Sequence, residues 1–431
     1  MEELARESIS LLAKPALAAD GRSLGSFGAV VIMLKSALGA GLLNFPWAFA
    51  RAGGIHSALT VEMMSLVFLV SGLVILGYSS SISGQSTYQA VVRHVCGPAI
   101  GKLCEICFVF NLFMISVAFL IIVADQLQKC SSESEMPHHW YTDQRFTLLV
   151  LCLFLILPLS IPKEIGIQKY TSVLGTLAAT YLTVAIIVKY YTRVIPEVHL
   201  SPIYSSGIST WVSMFSVIPT ICFGFQCHEA CIAIYSSMEN KKLSHWVVIS
   251  LVSMFFCLVI YSLTGIYGYL TFGNNVAADV LMSYSGDDVL MIIARLLFGV
   301  SIITIYPIVL LLGRSVILDR LLKCSGKYFM VTDSFETCTR VGLTIMWVVS
   351  TLLIAVFVPD ISKVISGIGG ISAFFIFIFP GLCLIFAMQS QPVPARLRLV
   401  LIAWGVITLL CGSFIFGQST SIAIMQVLNK L

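Results

Sequence analysis

The sequence predicts an all-α polytopic membrane protein of about eleven transmembrane helices. Of its 431 residues, 58% are apolar and only 11% are Asp, Glu, Lys or Arg, whereas soluble domains carry about 25% charged residues. A soluble chain this long would divide into roughly two or three domains with polar surfaces, and 21 acidic and 25 basic residues cannot cover them. The apolar residues also run unbroken rather than in ten-residue alternations, which excludes a membrane barrel. The net charge of +4 is small and dispersed, so no nucleic-acid partner is expected.

Stretches of about 20 apolar residues, the length that crosses a bilayer, fall near 27–50, 57–79, 103–124, 146–161, 171–191, 211–237, 246–271, 289–312, 340–358, 363–388 and 399–425. The fourth is the shortest, and Pro158 and Pro162 are expected to close it. Residues 1–25 read as a polar cytosolic tail without a signal peptide, since Glu2, Glu3, Arg6 and Glu7 precede any apolar run. With that tail inside, sixteen Lys and Arg flank the spans on the cytosolic side and seven on the other, with Lys35 and Arg295 left within spans. This orients the chain and puts residues 426–431 outside or in a lumen. The thirteen cysteines lie mostly within spans, where a thiol behaves as a small apolar group. Only Cys130 stands clearly in an outer loop, so no disulfide between loops is expected. His138-His139 lacks partners at zinc spacing, and no nucleophile–base cluster suggests an enzyme.

Two spans carry residues that a simple anchor would not. Span 1 reads VVIMLKSALGAGLLNFPWAFA, with Gly39-Ala40-Gly41 followed by Asn44 and Pro46. Alone, this pattern fits an interrupted helix as well as close packing through small residues. Span 6 decides for interruption: Phe223-Gly224-Phe225-Gln226-Cys227-His228-Glu229 puts three polar side chains in an apolar segment, each costly unless it meets a cavity or partner. Five spans separate the two, so they hold equivalent places in halves of opposite topology, which points to a secondary transporter's binding site. Unwound backbone frees N–H groups for a carboxylate and C=O groups for an ammonium or a small cation. That chemistry suits a zwitterion.

With these words in view, the chain resembles the sodium-coupled neutral amino acid transporters of the amino acid/auxin permease superfamily. The resemblance rests on LKSALGAGLLNFPWAF, LPLSIPKEIGIQKYTS, PTICFGFQCHE, LTFG with DVLMSY, IGGISAFFIFIFPGLCL and FIFGQST, in order from about residue 25 to the end. It implies a five-plus-five inverted repeat of the LeuT/APC type, with repeats near 27–191 and 211–388 and an extra helix near 399–425. It implies carriage of small neutral amino acids, glutamine and alanine among them, driven by sodium. Spans 1, 2, 6 and 7 would rock against spans 3, 4, 8 and 9. No cofactor is implied beyond sodium as co-substrate, and the implied setting is the lipid bilayer of the plasma membrane. Glu7-Ser8-Ile9-Ser10-Leu11-Leu12 fits an acidic dileucine pattern that would point to endolysosomal membranes instead. An amino acid sensor using the same pocket is the alternative class.

The resemblance places the substrate at Ser36, Gly39, Ala40, Gly41, Phe223, Gly224, Phe225 and Gln226. It places ion coupling at Lys35 and Leu38 in span 1 with Ser301 and Thr304, which share a face of span 8. Two positions depart from the family: Lys35 stands where relatives commonly carry Asn, and Ile305 where they carry a hydroxyl. Three readings of Lys35 stay open. Its ammonium takes the cation position, making transport proton-coupled or uncoupled; it pairs with Glu62, Asp125 or Glu229; or it snorkels to the cytosolic interface. His228 is read as a pH sensor or as a structural histidine on a freed carbonyl, and Asn111 as facing the substrate or, the better reading, as an interhelical contact. Asp279, Asp287 and Asp288 are expected to form a solvated outer loop.

Overall fold

The computed structural model describes residues 24–132, 144–162, 168–192, 215, 217–325, 333–358 and 360–428. The Glu7–Leu12 pattern, the His138-His139 loop, the start of the expected sixth span and the last three residues lie outside them. The chain enters α1 (Ser26–Ala37), passes a 3₁₀ turn at Ala40–Asn44 and continues in α2 (Phe45–Arg51). The two parts bend by 49° and together are apolar enough for one span. Gly53 and Gly54, at φ 84° and 119°, supply a left-handed turn that a side chain would strain, and so let the chain double back into α3 (Ile55–Ser83).

Next comes α4 (Tyr88–Cys96), capped by the Thr87 hydroxyl on Ala90 N–H at 3.3 Å. This short amphipathic helix was not expected, because it is too short and too polar for a span window. It is followed by α5 (Pro98–Ser132), α6 (Gln144–Ser160) and α7 (Gln168–Thr192). In α6 the helix runs past Pro158 and stops at Ser160, two residues before Pro162, so of the two prolines expected to close it only Pro162 stands at its end. A wide turn at Cys152–Ile156, closed by Leu157 N–H on the Cys152 carbonyl, precedes Pro158 and removes the usual backbone clash. The exposed carbonyls at the end of α6 are then met by the buried Arg314, which donates to Ser160 O and Pro162 O at 3.0 Å each and to Thr344 Oγ1 at 2.7 Å.

The second broken element is α8 (Ile218–Gly224) and α9 (His228–Ser237), separated by Phe225, Gln226 and Cys227. Beyond it lie α10 (Leu243–Phe272), the short α11 (Val280–Ser283), α12 (Val289–Ser325), α13 (Asp333–Phe357), α14 (Ile361–Ser390) and α15 (Ala395–Leu428). Among the described residues, eight helices are each long and apolar enough to cross a membrane, and the bent α1/α2 pair makes up to nine. The molecule is an all-helical polytopic membrane protein. In α14, 78% of the apolar window is buried, against 22% in α15, so α14 sits in the middle of the bundle and α15 at its edge. Like α6, α14 contains a wide turn (Phe374–Ile378) just before a proline, Pro380. One carbonyl of that turn, Phe375 O, accepts from Tyr88 Oη at 3.0 Å and anchors α4.

Where the chain enters α1 it pairs with the chain leaving α9. Leu24 N–H donates to Ser237 O at 3.0 Å and Glu239 N–H to Leu24 O at 3.1 Å, an isolated parallel bridge between Leu24 and Met238. At the same end of the bundle, Glu105 of α5 pairs with both Arg93 of α4 and Arg320 of α12.

The loop before α12 departs from expectation. Asp287 is exposed, but Asp288 pairs with Lys189 at 2.5 Å, and Asp279 is only 2% exposed. Asp279 accepts from Gln126 Nε2 at 2.6 Å and from Leu281 N–H at 2.9 Å, capping α11. Arg295, also buried, reaches out of α12 to the carbonyls of Leu281, Tyr284 and Ser285 at 3.0–3.1 Å and folds the loop inward. Asp125 of α5 is an acidic neighbour of both Asp279 and Asp360 in this region. Burial pushes the Asp279 carboxyl up to about 7, against the opposing pull of Leu281 N–H, Arg295 and Gln126. A carboxyl raised in this way stabilises the fold fully below its unfolded value near 3.9 and loses that contribution as pH rises through about 7. Corrected for the intrinsic acceleration of exchange with pH, amide protection in residues 276–286 is therefore expected to be stronger at pH 5.5 than at pH 8. Asp279→Asn should remove most of that difference, because a neutral amide can donate to the buried Gln126 Oε1 after that side chain flips. Equal protection at both pH values in the parent protein would refute this.

Candidate functional site

The two breaks meet. Helix α1 ends at Ala37; Leu38 is extended, and Gly39, at φ −150° and ψ −155°, carries the chain out of the helix before the turn at Ala40. Helix α8 ends at Gly224 and α9 begins at His228. A Cβ placed on Gly41 would lie 2.7 Å from Gly224 Cα, and one on Gly224 would lie 2.6 Å from the Phe45 ring. Interruption and close packing, opposed as readings of the GAG pattern, are both present: Gly39 serves the break and Gly41 serves the contact.

Tyr261 of α10 closes this junction. Its hydroxyl lies 2.7 Å from Ala37 O and 2.8 Å from Gly224 O, the last carbonyls of α1 and α8. The ring stacks on Phe45 at 4.2 Å and packs against Phe225 at 4.8 Å. Beyond the aromatic cluster, Asn44 is fully buried, donates to Ala278 O at 2.8 Å and accepts from Thr220 Oγ1 at 3.0 Å.

On the other side of the breaks lies a cavity of about 220 Å³. Its walls are the broken backbone from Ser36 to Gly41, Phe223, Gly224 and Gln226, apolar side chains of α5 such as Phe108 and Leu112, and Ile305 and Val309 of α12. Lys35, Gln89 and Glu229 add the remaining polar groups. Ile32, Gln89 and Leu312 line it too, so it extends toward the end of the bundle where α1 starts, while Asn44 and the aromatic cluster block the opposite end.

Most of the residues read from the sequence gather here. Ser36, Gly39, Ala40, Gly41, Phe223, Gly224 and Gln226 line the cavity, as do Lys35 and Leu38. Phe225 is fully buried in the aromatic cluster, off the cavity wall. Ser301 and Thr304 also lie off it: the Thr304 hydroxyl is directed to Val300 O and Ser301 O of its own helix, and Ser301 Oγ faces Gly175 of α7. The apolar Ile305 stands on the wall instead. His228 is fully buried, with Nε2 on Leu69 O of α3 at 2.9 Å. Of the acids considered as partners for Lys35, Glu229 lines the same cavity. It accepts from the buried Asn111 Nδ2 at 2.8 Å, while Glu62 accepts from Ser262 Oγ at 2.9 Å between α3 and α10.

Three contributors escaped the sequence reading. Tyr261 looked like an ordinary aromatic residue in an apolar run. Gln89 lies on α4, which no span window detects. Ser372 of α14 donates to Gln226 Oε1 at 2.6 Å; only its place in a polar-interrupted GIGGIS run hinted at a role.

Two broken helices abutting over a central cavity, inside a bundle of long apolar helices, define a membrane transporter rather than an enzyme. The chain belongs to the transmembrane amino acid transporter family, whose model matches residues 23–425. It is 56% identical to solute carrier family 38 member 8 of Homo sapiens, over 99% of this chain and 100% of that one. It is 44% identical to sodium-coupled neutral amino acid transporter 7 of Danio rerio, over 97% of this chain and 91% of the relative. Among solved structures it shares its fold with MhsT in complex with L-phenylalanine, at a TM-score of 0.56 and 15% identity, over 94% of this chain and all of that one.

Proposed function

We propose that this protein moves small neutral L-amino acids, glutamine and alanine among them, across a membrane by alternating access. The reading takes the bundle as eleven spans in a five-plus-five inverted repeat, with α15 as the extra helix. The observation that carries it is the meeting of two helix breaks over one cavity with a blocked end and an extended end. The turn starting at Ala40 and the N-terminus of α9 offer N–H groups to a carboxylate, and the carbonyl end of α8 near Phe223 offers acceptors to the ammonium. Gln226, held by Ser372, and Glu229, held by Asn111, face the side chain. A cytosolic N-terminus, favoured by the Lys and Arg distribution, makes the extended end cytosolic, with Asn44 and Tyr261 closing the outer path. The plasma membrane is the proposed location.

Sodium coupling is the leading reading, supported by the zebrafish relative being a sodium-coupled neutral amino acid transporter by name. Lys35 on the cavity wall favours a second reading, in which its ammonium takes the place of the cation. Uptake into vesicles is expected to be saturable, to show counterflow, and to fall severalfold when choline replaces sodium, with Lys35→Asn keeping that dependence. A parent protein indifferent to sodium that becomes dependent in Lys35→Asn would establish the second reading. Binding without flux would overturn transport in favour of a sensor.

A further inference from the structure

The carbonyls freed at the ends of α1 and α8 are the negative ends of two helix dipoles, and both point at one phenol. Ala37 O and Gly224 O lie 2.7 and 2.8 Å from Tyr261 Oη, which belongs to a fully buried side chain. Two converging carbonyls at helix C-termini form a site that favours positive charge. A neutral O–H group fills it here, and its single proton is shared between them. The ring cannot swing away cheaply, since Phe45 stacks on one side and Phe225 packs on another. The Gly41–Gly224 contact fixes the distance between the two backbones that the phenol joins.

We propose that Tyr261 is the positioning residue of the substrate site: its phenolic proton stands where a cation would otherwise bridge the two breaks, and so holds Leu38–Gly41 and Phe225–Cys227 in register for substrate. The inference rests on the reading of the cavity as an amino acid site. It follows that any coupling ion sits elsewhere, on the side of Lys35 and Leu38. It also follows that substrate affinity depends on the hydroxyl rather than on the ring.

The test compares the parent protein with Tyr261→Phe and Tyr261→4-aminophenylalanine, the second keeping a neutral donor on a ring of the same shape. Alanine and glutamine uptake by Tyr261→Phe is expected to show a KM raised about tenfold, the equivalent of one buried hydrogen bond left unmade, with the maximal rate per folded molecule within about threefold of the parent. The 4-amino variant should recover most of the affinity. Hydrogen exchange of the purified proteins, which requires no substrate, should speed up in residues 38–41 and 225–227 of Tyr261→Phe and not in the 4-amino variant. Unchanged KM and unchanged exchange at both breaks in Tyr261→Phe would overturn the proposal, as would a 4-amino variant that behaves like Phe in both measurements. If the parent protein neither binds nor carries an amino acid, the transport reading fails, while the exchange comparison still decides whether Tyr261 holds the breaks together.

Discussion

Gly41→Val is expected to abolish uptake and to prevent most of the protein from folding. A Cβ at this position would meet Gly224 Cα at 2.7 Å and Gly224 N at 3.2 Å. Those are backbone atoms, which cannot step aside as a flexible side chain can. Overpacking a tight core costs about 1–3 kcal/mol when side chains can rearrange; here the two broken helices themselves must separate. Separation would also pull Ala37 O and Gly224 O apart and cost Tyr261 its shared bond. The control is Gly39→Ala, two residues away on the same break. A Cβ there meets nothing within 4 Å, so the variant should fold normally and act by narrowing the cavity, with larger substrates losing affinity before alanine does. Monodispersity and thermal midpoint of the two purified variants check this directly. A well-folded Gly41→Val with parental uptake would mean the breaks do not meet as described.

Arg295→Leu is the second large effect expected. The guanidinium donates to Leu281 O of α11 and to Tyr284 O and Ser285 O of the loop that follows it, and its removal leaves those acceptors unpaired. Leaving a buried acceptor unsatisfied costs about 1–3 kcal/mol. The neighbouring Asp279 would also lose its nearby positive charge. The loop should detach before the bundle unfolds: exchange in residues 276–286 rises sharply, and the thermal midpoint falls by several degrees. Arg295→Lys is expected to recover only part of this, because an ammonium cannot fan across three carbonyls as a planar guanidinium does. If Arg295→Leu left exchange in this loop unchanged, the loop would be held by other contacts.

The spans were legible because bilayer thickness imposes a length that composition reveals. The positions of the breaks were legible too, since Gly39, Gly41 and the FGFQ run have few other uses inside an apolar helix. What escaped depended on partners distant in sequence. Tyr261 acquires its role from Ala37 and Gly224, 224 and 37 residues away, and nothing in its own span announces that. Asp279 was read as solvated because three acids in a loop usually are; its burial follows from Arg295 drawing the loop inward. Pro158 and Pro162 together suggest a stop, and only Pro162 marks one, because the wide turn that accommodates Pro158 leaves no sequence signature of its own. Ser301 and Thr304 share a helical face, but a face does not say which neighbour it meets. In this structure the cavity wall at that level is Ile305.

The bridge between Leu24 and Met238 bears on leakage. Two half-helices hinged independently at the end of the bundle where α1 starts would have four arrangements, two of them with one flap ajar and the other shut. Backbone bonds from Leu24 to Ser237 and Glu239 yoke α1 to α9, so one flap cannot swing without dragging the other or snapping the yoke. The mixed arrangements are thereby made scarce, and on the alternating-access reading proposed above a passage with fewer ways to stand ajar leaks less.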